Sequence, residues 1–156
     1  HAKSSWDDPT LDDHDRPLNE RGQKSARAIG DWLREKGLYP DQVLCSSARR
    51  TRETYGKMGF ETRLDCTSDL YHVTSNQILR VLSKASGDTV LVLGHNPGIG
   101  AFAGQIVDEP PDHPRFQDFP TCATLVIRFD IDDWRDLVWH SGHVVDFVIP
   151  RELPAD

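Results

Sequence analysis

Residues 88–100, Asp-Thr-Val-Leu-Val-Leu-Gly-His-Asn-Pro-Gly-Ile-Gly, constrain the fold more than any other stretch of the chain. Thr89 to Leu93 is a short, nearly unbroken β-branched and aliphatic run, the pattern of a strand buried on both faces of a parallel sheet. Gly94 ends the run and His95 follows at its carboxyl end. Pro97, with its fixed φ, suits the first position of a helix. Open α/β sheets place their ligands at such strand ends. The backbone N–H groups of Asn96, Gly98 and Ile99, at the start of that helix, make an anion site. The stretch therefore reads as an imidazole facing an oxyanion, with phosphate the first candidate. A histidine in such a turn is more often structural than catalytic, so its partners elsewhere decide the matter.

The rest of the chain supplies an α/β frame for it. Asn19 can cap a helix from Gln23 to Lys36, where Ala26, Ala28, Ile29, Trp32 and Leu33 form an apolar stripe that Gly37 stops. Gln42–Cys45 reads as a short strand, and residues 62–66 as another. Ser75–Lys84 and Ile99–Val107 read as helices, Thr124–Phe129 as a strand, and Leu137–His140 with Val144–Ile149 as a hairpin through Ser141-Gly142. Residues 3–21 and Glu109–Pro120 are polar or proline-rich loops. Strand and helix alternate without repeat or linker, which predicts one domain: three-layer α/β/α, with a mainly parallel sheet and antiparallel C-terminal strands.

Charge narrows the chemistry. A net charge of −7 argues against nucleic acid and against anionic membrane surfaces as partners. An acidic protein that binds phosphate must gather its arginines locally. Ser46-Ser47-Ala48-Arg49-Arg50-Thr51-Arg52-Glu53-Thr54 does so at the start of a predicted helix. Cations there oppose the helix dipole and cost stability unless an anion lies nearby. No run approaches the ~18 apolar residues of a membrane span. Cys45, Cys66 and Cys122 are odd in number and widely spaced, which fits reduced thiols in a cytoplasmic protein rather than disulfides or a zinc site.

If the strands are neighbours, His1, the Ser46…Arg50…Thr54 turn and Gly94-His95 converge on one sheet edge. Two imidazoles and an arginine around an anion suit phosphoryl transfer, with no metal or other cofactor required. His1-Ala2-Lys3 resembles the Arg-His-Gly/Ala signature of the histidine phosphatase superfamily, beginning one residue late. Ser46-x-x-x-Arg50-x-x-x-Thr54, Gly94-His95 and Arg16-Pro17-Leu18-Asn19-Glu20-Arg21-Gly22 resemble its other motifs, in order. The chain's shortness, His1-Ala2-Lys3-Ser4-Ser5-Trp6 and His95-Asn96-Pro97-Gly98 resemble the SixA-type phosphohistidine phosphatase branch.

The resemblance implies His1 as the nucleophile, Arg50 as the clamp on the phosphoryl oxygens and His95 as their second stabiliser. It also implies a further donor from the Asn96 backbone and a further positive charge from Arg16. A strand and an arginine are expected upstream of His1. Larger members carry a Glu as general acid near Leu70-Tyr71-His72; none stands here, and Asp69 and His72 are the substitutes. An imidazole leaving group can carry its own proton whereas an alkoxide needs a donor, so the expected substrate is a phosphohistidine-bearing protein. A small phosphorylated molecule is the alternative within enzymes. A non-catalytic phosphate- or phosphoprotein-binding module is the alternative outside them.

The remaining polar residues have plainer readings. His14, His72, His113, His140 and His143 are expected on the surface or in loops. His140, His143 and Asp146 could be drawn as a metal site, but the Ser-Gly turn accounts for their spacing. Cys45 and Cys122 are expected in the core, and Arg49 and Arg52 in solvent. The acidic run Asp7, Asp8, Asp12, Asp13 and Asp15 reads as solvated surface. Trp32, Trp134 and Trp139 read as packing residues, and Trp6 as a pocket wall.

Overall fold

In the structure, a computed structural model that describes residues 1–154, strand periodicity sets the layers. Strand β1 (Gln42–Ser46) turns Val43 and Cys45 to one face and Leu44 to the other. Helices α1 (Glu20–Glu35) and α2 (Arg49–Met58) cover the first face, burying Ala26, Ile29, Leu33, Tyr55 and Met58. Helices α3 (Ser75–Ser83) and α4 (Gly98–Ile106) cover the second with Ile78, Leu82, Phe102 and Ile106. Strands β2 (Leu64–Thr67) and β3 (Val90–Leu93) flank β1 in a parallel sheet of order β2-β1-β3. Strands β4 (Thr124–Arg128) and β5 (His143–Val148) form an antiparallel pair with a bulge at Val126/Ile127. The three layers, the parallel sheet and the antiparallel C-terminal strands are those expected.

Several local expectations are corrected. The C-terminal hairpin does not pair Leu137–His140 with Val144–Ile149; the partner of β5 is β4, and Trp134–Asp136 is a 3-10 turn. Tertiary packing overrides the local turn signal: paired with β4, β5 carries Phe147 and Val148 into the core. Helix α1 begins at Glu20, one residue after the Asn19 cap, whose side chain accepts from the Gly22 N–H at 2.8 Å. Such a cap contributes about 1 kcal/mol. The polar 3–21 segment is not a free loop. It makes an antiparallel bridge between Ser4 and Leu18 and a 3-10 turn at Asp13–Asp15.

Two close approaches set the frame around the site. A Cβ at Gly30 would collide with the Met58 carbonyl, so α1 and α2 touch at backbone level there. A Cβ at Gly22 would collide with the Lys3 carbonyl, which seats the start of α1 against the chain just after His1. The free edges of β3 and β4 face each other across a cavity of about 1040 Å³, with His1 at its margin. There the His1 amino group donates to the Gly94 carbonyl at 3.3 Å, and the Cys122 N–H donates to the His1 carbonyl at 2.7 Å.

Candidate active site

Three elements converge at the carboxyl edge of the parallel sheet. The chain start brings His1, the β1–α2 turn brings Arg50, and the end of β3 brings His95. Thr54 locks the first two together: its hydroxyl accepts from the Ala2 N–H at 3.0 Å and donates to the Arg50 carbonyl at 2.7 Å. This accounts for a threonine four residues after Arg50, one helical turn on and on the same face.

The His1 Nδ1 lies 2.6 Å from the Ala2 carbonyl. A carbonyl only accepts, so Nδ1 carries the proton and Nε2 keeps its lone pair. Arg50 Nε donates to that Nε2 at 3.4 Å. The site thus holds an unprotonated imidazole nitrogen beside a guanidinium, as a nucleophile directed at a bound oxyanion requires.

Arg50 is 2% exposed and is the centre of the cluster. Its Nη2 donates to His95 Nδ1 at 3.2 Å and lies 3.4 Å from His72 Nε2. His95, 4% exposed, donates in turn from Nε2 to Ser46 Oγ at 2.7 Å. Burial, reinforced by the Arg50 charge, pushes the His95 pKa from 6.5 to about 3, so the imidazole is neutral near pH 7. A phosphoryl dianion beside Arg50 reverses the electrostatic part of that shift and favours a proton on Nδ1, directed at the anion. Of the three arginines that open α2, only Arg50 turns inward. Arg49 pairs with Glu53 at 3.2 Å, and Arg52 donates to the Ser47 carbonyl at 3.1 Å.

Asp13 supplies the anion that these crowded cations call for. Its Oδ2 accepts from Arg50 Nη2 at 3.0 Å, from Tyr71 OH at 2.5 Å and from His72 Nε2 at 2.9 Å. Its carbonyl accepts from Arg50 Nη1 at 2.6 Å, and its Oδ1 pairs with Arg16 Nη2 at 3.2 Å. Burial alone raises its pKa; the bonds from Tyr71, His72 and Arg50 outweigh it and hold the carboxyl far below the usual carboxylate range. Asp13 was expected in a solvated acidic run. One signal in the chain points to it: it lies three residues before Arg16, where the segment that carries the resemblance begins.

The other expected site residues are placed as follows. Arg16 is buried against Asp13, with Trp6 stacked 3.5 Å from its guanidinium carbon, so its charge reaches Arg50 through the Asp13 carboxylate. Trp6 is 73% exposed and is a cover on Arg16 rather than a pocket wall. The Asn96 side chain holds the Phe119 carbonyl at 2.7 Å and accepts from the Gly100 N–H at 3.1 Å. Pro97 is the cap of α4 rather than its first residue and follows a cis bond from Asn96. The Ile99 N–H, expected to face an anion, instead donates to the His95 carbonyl at 2.9 Å. The α4 terminus therefore offers fewer donors than its sequence promised.

His72, expected in a surface loop, faces the site, its ring centre 4.9 Å from that of His95. Asp69 uses only its backbone N–H, which donates to Thr67 Oγ1. The residues drawn as a metal site point apart: Asp146 pairs with Lys36, and His143 with Asp108 and Asp130. No group of three or more His, Cys, Asp or Glu side chains suited to a metal occurs among the described residues. Burial pushes the thiols of Cys45 and Cys122 up to about 12 and 11, which makes them core residues and not nucleophiles.

Comparison with known proteins agrees with this geometry. Residues 1–71 match the histidine phosphatase superfamily (branch 1). An uncharacterized protein of Mycobacterium leprae is 32% identical over 97% of this chain and 99% of its own length. Among solved structures, a candidate phosphohistidine phosphatase SixA from Nakamurella multipartitia superposes with a TM-score of 0.84 at 29% identity, covering 96% of this chain and 92% of that one. A second candidate SixA, from Agrobacterium tumefaciens, gives 0.75 at 26% identity over 96% and 94%. The chain belongs to the histidine phosphatase superfamily, in its SixA-type branch.

Proposed function

We propose that this protein is a phosphatase that works through a phosphorylated His1, with phosphohistidine in a protein as its preferred substrate. The observation that carries the reading is the unprotonated Nε2 of His1 held beside the Arg50 guanidinium. In the first step Nε2 bonds to phosphorus as the bond to the leaving group breaks. In the second, water bonds to phosphorus and the P–Nε2 bond breaks, freeing His1 and phosphate. Arg50 and His95, whose protonation from solvent the arriving dianion favours, spread the charge that builds on the equatorial oxygens. These cationic donors fill the role that a metal ion takes in other phosphoryl-transfer sites. The cytoplasm is the compartment that suits its unpaired cysteines.

The substrate class rests on the leaving group. Among the described residues no carboxylic acid is poised to protonate a departing alkoxide: Asp13 is held ionised, and Asp69 is bonded there only through its backbone. Imidazole leaving from phosphohistidine carries its own proton. A small phosphate monoester is the second reading, favoured by the His72 imidazole beside Arg50.

The test follows phosphate release from a phosphohistidine peptide in EDTA, for the parent and for His1→Ala. Release by the parent, undiminished by EDTA and abolished in the variant, is expected. Release by neither points instead to a phosphate-binding module that retains Arg50 and His95 without turnover.

A further inference from the structure

We propose that His72, oriented by Asp13, is the proton donor to the leaving group, in place of a Glu near Leu70-Tyr71-His72. The inference rests on the phosphatase reading above and adds two residues to it, one catalytic and one positioning.

Three rings surround the Arg50 guanidinium. His1 lies on its Nε side, and His95 and His72 lie on its Nη2 side. His95 is buried and has both nitrogens engaged, with Arg50 and with Ser46. His72 differs on each point. Its side chain is 45% exposed, so it borders the open side of the site, through which a leaving group must depart. Its Nε2 is bonded to the Asp13 carboxylate at 2.9 Å, and among the described residues its Nδ1 has no hydrogen-bond partner. A carboxylate bonded to one imidazole nitrogen fixes the ring's orientation and leaves the other nitrogen free to carry the transferable proton.

The backbone carries a second, independent mark. His72 has a φ of +49°, in the left-handed region that residues with a β-carbon adopt uncommonly. With this backbone the ring lies beside Asp13 and Arg50. Tyr71 supports the same arrangement: its hydroxyl donates to the oxygen of Asp13 that His72 contacts, and its ring packs 4.3 Å from the His72 ring, centre to centre. Asp13 comes from a loop 59 residues earlier in the chain, so nothing in the local sequence links the pair.

The proton balance closes. As His1 Nε2 bonds to phosphorus and the ester P–O bond breaks, the proton on His72 Nδ1 passes to the departing oxygen and leaves a neutral imidazole. When water attacks phospho-His1, that Nδ1 accepts the water proton as the P–Nε2 bond breaks, which restores the protonated ring. For phosphohistidine the leaving imidazole needs no such donor, so His72 matters most for esters with basic leaving groups.

The experiment compares phenyl phosphate with 4-nitrophenyl phosphate. The two have similar shapes, but nitrophenolate departs without a proton and phenolate does not. The value of kcat/KM reports the step in which the leaving group departs. In His72→Asn, whose new residue tolerates the left-handed backbone, kcat/KM should fall about a hundredfold for phenyl phosphate. It should fall only a few-fold for 4-nitrophenyl phosphate. Asp13→Asn should lower both, because it also loosens Arg50, with the larger loss again on phenyl phosphate. A folding defect would have no reason to move that ratio. Should His72→Asn not fold, His72→Gly, which fits the same φ, serves in the same comparison.

Equal losses on the two esters would overturn the inference. So would a parent that hydrolyses the phosphohistidine peptide and neither ester, while the phosphatase reading would stand. A parent inactive on all three substrates would overturn both.

Discussion

At the scale of single residues, His95 carries a charge cost that is measurable without any substrate. Its pKa is about 3 in the folded protein against 6.5 for an ordinary imidazole. Between those values the unfolded chain binds a proton that the folded chain refuses, so stability must fall as pH is lowered through that window. Asp13, whose pKa is also depressed on folding, adds to the loss only below its ordinary 3.8. The melting temperature should therefore drop from about pH 6.5 downward, and His95→Asn should flatten the upper part of that slope. An unchanged slope in the variant would mean that other groups set it. His95 was legible in the sequence because it stands between a strand signal and a helix signal. Asp13 was not, because its role depends on partners such as His72, 59 residues away, and a carboxylate in an acidic run is ordinarily solvated.

At the scale of elements, the α1–α2 crossing holds Arg50 in place. Gly30 allows α1 to touch the Met58 backbone near the end of α2, and Arg34 adds a hydrogen bond to the same Met58 carbonyl. Gly30→Ala should push the helices apart and destabilise the protein by about 1–3 kcal/mol, as overpacking does. Its melting temperature should fall by about 2–4 °C for each kcal/mol. An unchanged melting temperature would show that α1 can shift freely. Phosphatase activity should fall with it, because Thr54 of α2 ties Arg50 to the chain behind His1. The helices were readable from their apolar stripes to within a few residues. The partner of β5 was not, because the Ser141-Gly142 signal is local and the pairing of β5 with β4 is settled by burial of Phe147 and Val148.

At the scale of the whole molecule, the gap between β3 and β4 stands out. The cavity between them holds about 1040 Å³, and the His1 backbone lies at its margin, bonded to the Gly94 carbonyl. The bonds from His1 to the Gly94 carbonyl and from the Cys122 N–H to His1 already resemble ladder bonds on both sides of one residue.

The layers, the meeting of His1, Arg50 and His95 at one sheet edge, and the resemblance to the family were all readable in the amino-acid sequence. These follow from local pattern: apolar period, strand-end position, and motifs in a set order. Tertiary structure alone decided how that site is held and completed. Asp13 reached Arg50, Tyr71 and His72 through a loop folded back over the sheet edge. Arg16 was turned to Asp13, and the Ile99 N–H was taken up by the His95 carbonyl. The physical reason is that hydrogen bonds and ion pairs between distant segments satisfy buried charges wherever packing brings them together, and no local periodicity encodes that meeting.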